Sequence, residues 1–331
     1  MTTRRRFMAG AVAGAVAGTL ANSHAGAQGG TQIRISTAAP PSDFLAKALE
    51  QLKSDVDAAN VGLNVTVHPA STLFKQGTEI PALQRGNLEM STMTTFEVAQ
   101  QMPALGLFNR GYLFKDYAHM RRVFDGPIGA EYRRAVADKM GIEILATHYL
   151  GTRQVNLRQK RAVKGPADLA GMKMRMPAGP EWLLLGRTLG VNPVPLGMPE
   201  VYLALKTGTV DGQENPLSIL NAAKFYEVTE QVVLTAHMIQ PVFFNIAKPV
   251  WDKLNDAQKK VFQDASAKTA KSGSDARLAD EASITTALRQ RGLSVDAVDL
   301  ALFRAAADQA YAGADYSKSW DKGLLERVLA T

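Results

Sequence analysis

Apolar positions along this chain switch repeatedly between the period of a strand and the period of a helix. Ile33 and Ile35 stand between polar neighbours, which predicts a strand. Phe44, Leu45, Ala48, Leu49, Leu52 and Val56 then fall on one helical face, and Leu63, Val65 and Val67 alternate again. Two strands joined by a helix predict a parallel pair with a right-handed crossover. A second unit follows, with a helical pattern over Ile80–Arg85, a stop at Gly86 and a strand over Leu88–Met93. Thr94-Thr95-Phe96 forms the turn at that strand's carboxyl end, and Ile142–Ala146 reads as a further strand. This half is an α/β domain of its own.

Lys173–Pro216 repeats the alternation more tightly. Two apolar helical patterns, Glu181–Leu189 and Glu200–Lys206, are followed directly by Gly190 and Gly208, and Pro199 stands where a first helical residue would. The order is strand, helix, short strand, helix, strand, a βαβ-type unit whose ligands sit off the carboxyl ends of its strands. Arg175 and Asn215 lie near two of those ends. Further on, Asp256–Gln290 contains no proline and one glycine, Gly273, with Asn255 as a candidate cap and Gly292 as a candidate stop. A single helix over that span would run about 52 Å, wider than one domain. The competing reading is two helices broken at Lys271–Ser274.

A length of 331 residues suits two domains, and 46% apolar with 21% charged residues describes a soluble globular protein with ample core. The absence of cysteine excludes disulfides, a thiol nucleophile and a lipid-attachment cysteine. Residues 1–27 read as an export signal: a basic start, the apolar run Phe7–Ala21, then Ala25-Gly26-Ala27, with cleavage expected after Ala27. The run is too short and weak to cross a membrane. Thr3-Arg4-Arg5-Arg6-Phe7-Met8 fits a twin-arginine pattern, with a general secretory signal as the alternative. Removing Arg4, Arg5 and Arg6 lowers the formal charge from +7 to +4, which does not point to nucleic acid and does not repel an anion.

His68, His119, His148 and His237 lack metal-ligand spacing with one another or with carboxylates. There is no phosphate loop and no nucleophile elbow, and Asp211-Gly212 reads as turn chemistry. No catalytic group, cofactor or metal is expected. Among the arginines, Arg158, Arg161, Arg187 and Arg289 read as solvated. Arg175 differs: apolar residues flank it and Pro177 fixes an extended chain. Its donor fork suits a carboxylate, and an asparagine such as Asn215 adds donors and an acceptor beside it. The alternative for Arg175 is a structural salt bridge. Arg153 divides evenly between solute contact and a bridge holding the hinge. Trp182, Phe96, Phe74, Phe243 and Phe244 are each core candidates taken singly, but together they suggest a pocket with apolar walls.

The pieces DLAGMKMRMP (168–177), LGVNPVPL (189–196), EVYLALKTGTVDGQENPL (200–217) and KFYEV (224–228), with GTRQ (151–154) upstream, resemble the solute-binding proteins of TRAP transporters, the DctP type. The resemblance implies that Arg175 pairs with the solute carboxylate, supported by Asn215 and Arg153, and that the long tail helix is continuous and crosses both domains. It implies a two-lobed α/β periplasmic binding protein of type II-like build with a hinge. The expected division is 28–150 plus about 238–255 for the first lobe, and 151–237 plus part of the C-terminal region for the second. Residues 256–290 form the connecting helix and 291–331 pack on the lobes. The partners implied are a small organic anion and the small and large integral membrane subunits of the transporter, with the binding protein itself a monomer. An exported enzyme and a sensor-associated binding protein are the alternatives of other classes.

For the solute, a loose alignment with sialate-binding members places Lys75, Gln76 and Thr94 where those carry acids. With few acceptors there, and Phe74, Phe96, Trp182 and Phe243 nearby, the expectation is an aromatic or apolar 2-hydroxy or 2-keto monocarboxylate, ahead of a sugar acid or a C4 dicarboxylate.

Overall fold

The structure is a computed structural model that describes residues 30–331, so the export-signal reading of residues 1–27 lies outside the described residues. β1 (Thr31–Ser36), α1 (Phe44–Ala59) and β2 (Leu63–His68) form the expected parallel unit. α2 (Glu79–Gln84) leads to β3 (Met90–Thr94), which runs directly into α3 (Thr95–Gln101). α4 (Tyr117–Asp125) and α5 (Pro127–Met140) then cover the first lobe. β4 runs from Ile142 to Leu157 and carries the chain into the second lobe. There β5 (Lys173–Met176), α6 (Pro180–Thr188), β6 (Asn192–Pro195), α7 (Val201–Thr207) and β7 (Gly212–Pro216) reproduce the order read from the pattern. α8 (Leu217–Ala222) precedes β8 (Gln231–Ala247), then α9 (Lys248–Lys253), α10 (Asp256–Gln290), β9 (Ser294–Ala297), α11 (Leu300–Gly313) and α12 (Lys322–Ala330).

All nine strands join one sheet in the order β2-β1-β3-β8-β4-β7-β5-β6, with β9 beside β8. β4 and β8 are antiparallel and belong to both lobes: β8 pairs with β3 over Val242–Ile246 and with β9 over Gln231–Leu234, while β4 pairs with β7 over Arg153–Leu157. Their mutual register shifts between Tyr149 and Gly151 and again between Arg153 and Val155. Gly151 sits at φ +123°, and a Cβ there would lie 2.5 Å from Pro216 Cβ, so this crossing admits only glycine. β8 was not read as a strand from the sequence, because its apolar run is buried on both faces and shows no alternation. Phe243 and Phe244 lie inside it.

α10 is one continuous helix of 35 residues, capped at Asn255 by a reciprocal box with Gln258. Its start buries Phe262, Ala265 and Ala270 in the core of the first lobe, and its end buries Ile284 and Leu288 in the core of the second. Gly273, the candidate break, is a close-approach residue instead: a Cβ there would lie 2.8 Å from His148 Nε2 and 2.9 Å from Ala48 Cβ. At the crossing, Arg277 is fully buried and holds both lobes, donating to Asp43 Oδ1 at 2.6 Å and to the Ser218 hydroxyl. No described helix is long and apolar enough to cross a membrane.

Candidate functional site

Between the lobes lies a cavity bounded by strand ends, as strand topology requires of an α/β sheet. Arg175, Asn215, Arg153, Trp182 and Thr94 of the sequence-predicted set line it. Phe74, Phe96 and Phe243 do not. Phe96 is buried behind Trp182, the two rings stacked at 3.6 Å and 6°, and Phe74 and Phe243 belong to the packed core of the first lobe. Of the four aromatics expected in the apolar wall only Trp182, backed by Phe96, lines the cavity, and Leu45, Leu150, Ile219 and Val242 supply the rest of that wall.

Arg175 lies next to the carboxyl end of β5 and is 1% exposed. Its Nε donates to the Leu196 carbonyl at 2.9 Å and its Nη2 to Gln76 Oε1 at 3.2 Å. Among the described residues no carboxylate lies within ion-pair distance of it. Burial pulls its pKa below the usual arginine range, to about 9, so it stays a cation at neutral pH without an internal counter-ion. Arg153 is the opposite case. It donates to Glu214 through Nε, and through Nη2 both to Glu214 Oε1 at 2.6 Å and to the Glu214 carbonyl at 2.8 Å. Its Nη1 donates to Gln240 Oε1 at 2.7 Å, and its guanidinium stacks 4.8 Å from the Trp182 ring centre. His237 completes this buried group, with Nε2 3.0 Å from Glu214 Oε2 and Nδ1 2.8 Å from Thr235 Oγ1. Burial alone would raise the Glu214 carboxyl, but Arg153 and His237 hold it at about 2. Arg153 thus braces the hinge strands and also borders the cavity.

Asn215 donates one amide hydrogen to Gln213 Oε1 at 2.6 Å. Gln240 borders the same cavity, and its Nε2 is buried with no partner among the described residues, leaving a donor near Arg153 that the sequence reading did not single out.

Two acids of the site were missed from sequence. Glu79 opens α2 and Glu97 lies in the first turn of α3, and both line the cavity. Glu79 Oε2 accepts from the Gly77 N–H at 2.7 Å, and burial, with the neighbouring Glu97 charge adding to it, lifts its pKa to about 7. Glu97 Oε2 accepts from the Thr94 N–H at 2.8 Å and from the Thr94 hydroxyl, and burial raises its pKa although both bonds oppose it. Lys75 is exposed and does not reach the cavity. Few acceptors were expected here because Lys75, Gln76 and Thr94 stand where sialate-binding relatives carry acids, but Glu79 and Glu97, three or four residues further on, reach the same cavity. The pattern Thr94-x-x-Glu97 was the available signal, a capping box opening α3. Thr37 and Thr92, their hydroxyls 3.0 Å apart, add two more polar groups.

The arrangement is a cavity with largely apolar walls that holds one buried cation without a carboxylate partner and two carboxylates without cationic partners. Among the described residues no group of three metal-binding side chains occurs.

Comparison with known proteins agrees with this geometry. The model of the DctP family, bacterial extracellular solute-binding protein family 7, matches residues 35–318. A TRAP periplasmic solute-binding protein of Roseobacter denitrificans with bound 3-deoxy-D-manno-oct-2-ulosonic acid is 38% identical, superposes with a TM-score of 0.87, and covers 91% of this chain and 99% of its own. One from Bordetella, with density interpreted as pantoate, is 31% identical at a TM-score of 0.83, with the same coverage. One from Polaromonas bound to D-erythronate is 29% identical at 0.84, again covering 91% and 99%.

Proposed function

The chain belongs to bacterial extracellular solute-binding protein family 7, and from that premise we propose that it captures a sugar acid by its carboxylate in the interlobe cavity and delivers it to the membrane subunits of a TRAP transporter. It is a binding component and not an enzyme. The observation that carries the solute class is that Glu79 and Glu97 line the same cavity as Arg175. Arg175 takes the carboxylate, with Asn215 and Gln240 as added donors, while the two acids and Thr94 accept hydroxyl hydrogens from the far end. Trp182 covers the carbon chain. Arg153 acts mainly by fixing Trp182 and Gln240. The bound acids of the three similar structures are all hydroxylated carboxylic acids, which supports this reading over the aromatic acid expected from the sequence. The lobes are proposed to follow the division read there, with the protein monomeric and closing on its solute.

A second reading keeps an apolar-bodied hydroxy acid, because the Bordetella neighbour carries density interpreted as pantoate. One calorimetric series separates them: 3-deoxy-D-manno-oct-2-ulosonic acid, D-erythronate, pantoate, an aromatic 2-hydroxy acid and a C4 dicarboxylate. Tightest binding by a polyhydroxy acid is expected, and tightest binding by the aromatic acid overturns the assignment of Glu79 and Glu97.

Glu79 adds a stability signature to the same reading. Its folded pKa of about 7 lies above its ordinary 4.5, so the unfolded chain ionises first as pH rises. The stability present below about pH 4.5 is lost through about 7 and stays lost above. Glu79→Gln removes that penalty. Its melting temperature should exceed wild type at pH 8 by the equivalent of roughly 1–3 kcal/mol and match it near pH 4.5. The same variant should bind polyhydroxy acids more weakly. A pH-independent difference in melting temperature contradicts the buried-carboxyl account.

A further inference from the structure

Gln76 belongs to the loop before α2 in the first lobe, yet its side chain is bonded to the second. Its Oε1 accepts from Arg175 Nη2 at 3.2 Å and from the Met198 backbone N–H at 2.9 Å. Because both partners are donors, the carboxamide orientation is fixed, with oxygen toward the second lobe. A guanidinium has two bidentate faces: a side face, formed by Nε–H with the adjacent Nη2–H, and an end face formed by the two Nη groups. In Arg175 the side face is filled, by the Leu196 carbonyl at 2.9 Å on Nε and by Gln76 on Nη2. The end face remains for a carboxylate. Leu196 and Met198 lie on one short segment of the second lobe, so half of the side-face clamp is always present and the other half arrives from across the cleft.

We propose that Gln76 is a positioning residue that couples lobe closure to the orientation of the carboxylate anchor: Arg175 is held end-on to the cavity only when Gln76 has crossed to Nη2 and Met198. This rests on Arg175 being the anchor. In the open protein, Leu196 alone leaves the guanidinium free to pivot about Nε, and a carboxylate meets it with weaker geometry. On closure the Gln76 oxygen and the solute carboxylate take separate faces of one cation, so each bond orders the group for the other. The neutral carboxamide matters as well. A carboxylate at 76 would supply internally the charge that the solute brings.

The test uses Gln76→Ala and Gln76→Glu in the mature protein. It combines small-angle scattering without solute and calorimetry with two probes, 3-deoxy-D-manno-oct-2-ulosonic acid and D-erythronate. Loss of one hydrogen bond to a charged group should weaken the better probe about tenfold in Gln76→Ala, mostly through faster dissociation. Gln76→Glu should bind more weakly still while its ligand-free radius of gyration falls toward the solute-bound wild-type value. A side chain with a purely structural role would not weaken binding and compact the empty protein together. Wild-type affinity in Gln76→Ala, or an unaltered ligand-free size in Gln76→Glu, overturns the proposal. If wild type binds neither probe, the solute reading fails, yet the compaction in Gln76→Glu is still measured without any solute and decides the Gln76 coupling by itself.

Discussion

Arg175→Ala should abolish binding of whichever acid the wild-type protein binds best, while leaving the protein folded and no less heat-stable. Removing one partner of a buried charge pair costs roughly 3–5 kcal/mol, a loss of two to three orders of magnitude or more in affinity. Stability should not suffer, because this cation is buried with no carboxylate partner among the described residues, and burial, with the neighbouring Arg153 charge adding to it, depresses its pKa to about 9. Its removal orphans no acid, only the Leu196 carbonyl, since the Gln76 oxygen keeps the Met198 N–H. Arg175→Lys should fail nearly as badly, since an ammonium cannot fill a side face and an end face together. Calorimetry and thermal melts on the three proteins check both halves. Wild-type affinity in Arg175→Ala sinks the anchor assignment, and a large drop in melting temperature would show the arginine to be structural.

The contrast between Arg175 and Arg153 marks where sequence reasoning ran out. Arg175 stands near a strand end and Arg153 inside β4, and apolar flanks with Pro177 were enough to single out Arg175. Nothing local to Arg153 shows that Glu214, 61 residues away, and His237 converge on it, because β4, β7 and β8 bring them together only across the sheet. The βαβ units and the long helix were legible because each carries its own period, caps and stops. β8 was not, since a strand buried on both faces has no alternation to read. The aromatic set failed for a related reason: hydrophobicity marks burial, not which side of a wall a ring faces, and Phe74 and Phe243 went to the core. The acids failed by one helical turn, as comparison by loop position pointed to Lys75, Gln76 and Thr94 while Glu79 and Glu97 approach from the helices that follow.

Glu214→Gln should be strongly destabilising for so conservative a change. Glu214 is fully buried and takes charge-assisted bonds from Arg153 and a further contact from His237, both also buried. A carboxamide keeps the shape but removes the charge, leaving the Arg153 cation in the interior without its counter-ion, at roughly 3–5 kcal/mol. For a protein of this size that corresponds to a fall in melting temperature of about 10 °C. The pH dependence has a definite sign. Glu214 is held at about 2, below its ordinary 4.5, so its contribution is complete above about pH 4.5 and is lost as pH falls toward 2. The gap between wild type and Glu214→Gln should therefore be constant from pH 5 to 8 and close progressively in acid. The double variant Arg153→Met with Glu214→Leu should recover most of the lost stability, because replacing both buried charges by apolar groups is close to neutral. It should still bind solute poorly, as Trp182 loses the guanidinium beneath it and Gln240 loses the donor that orients it. Strictly additive losses in the double variant would mean that Arg153 and Glu214 stabilise the hinge separately and that the pair is not a unit.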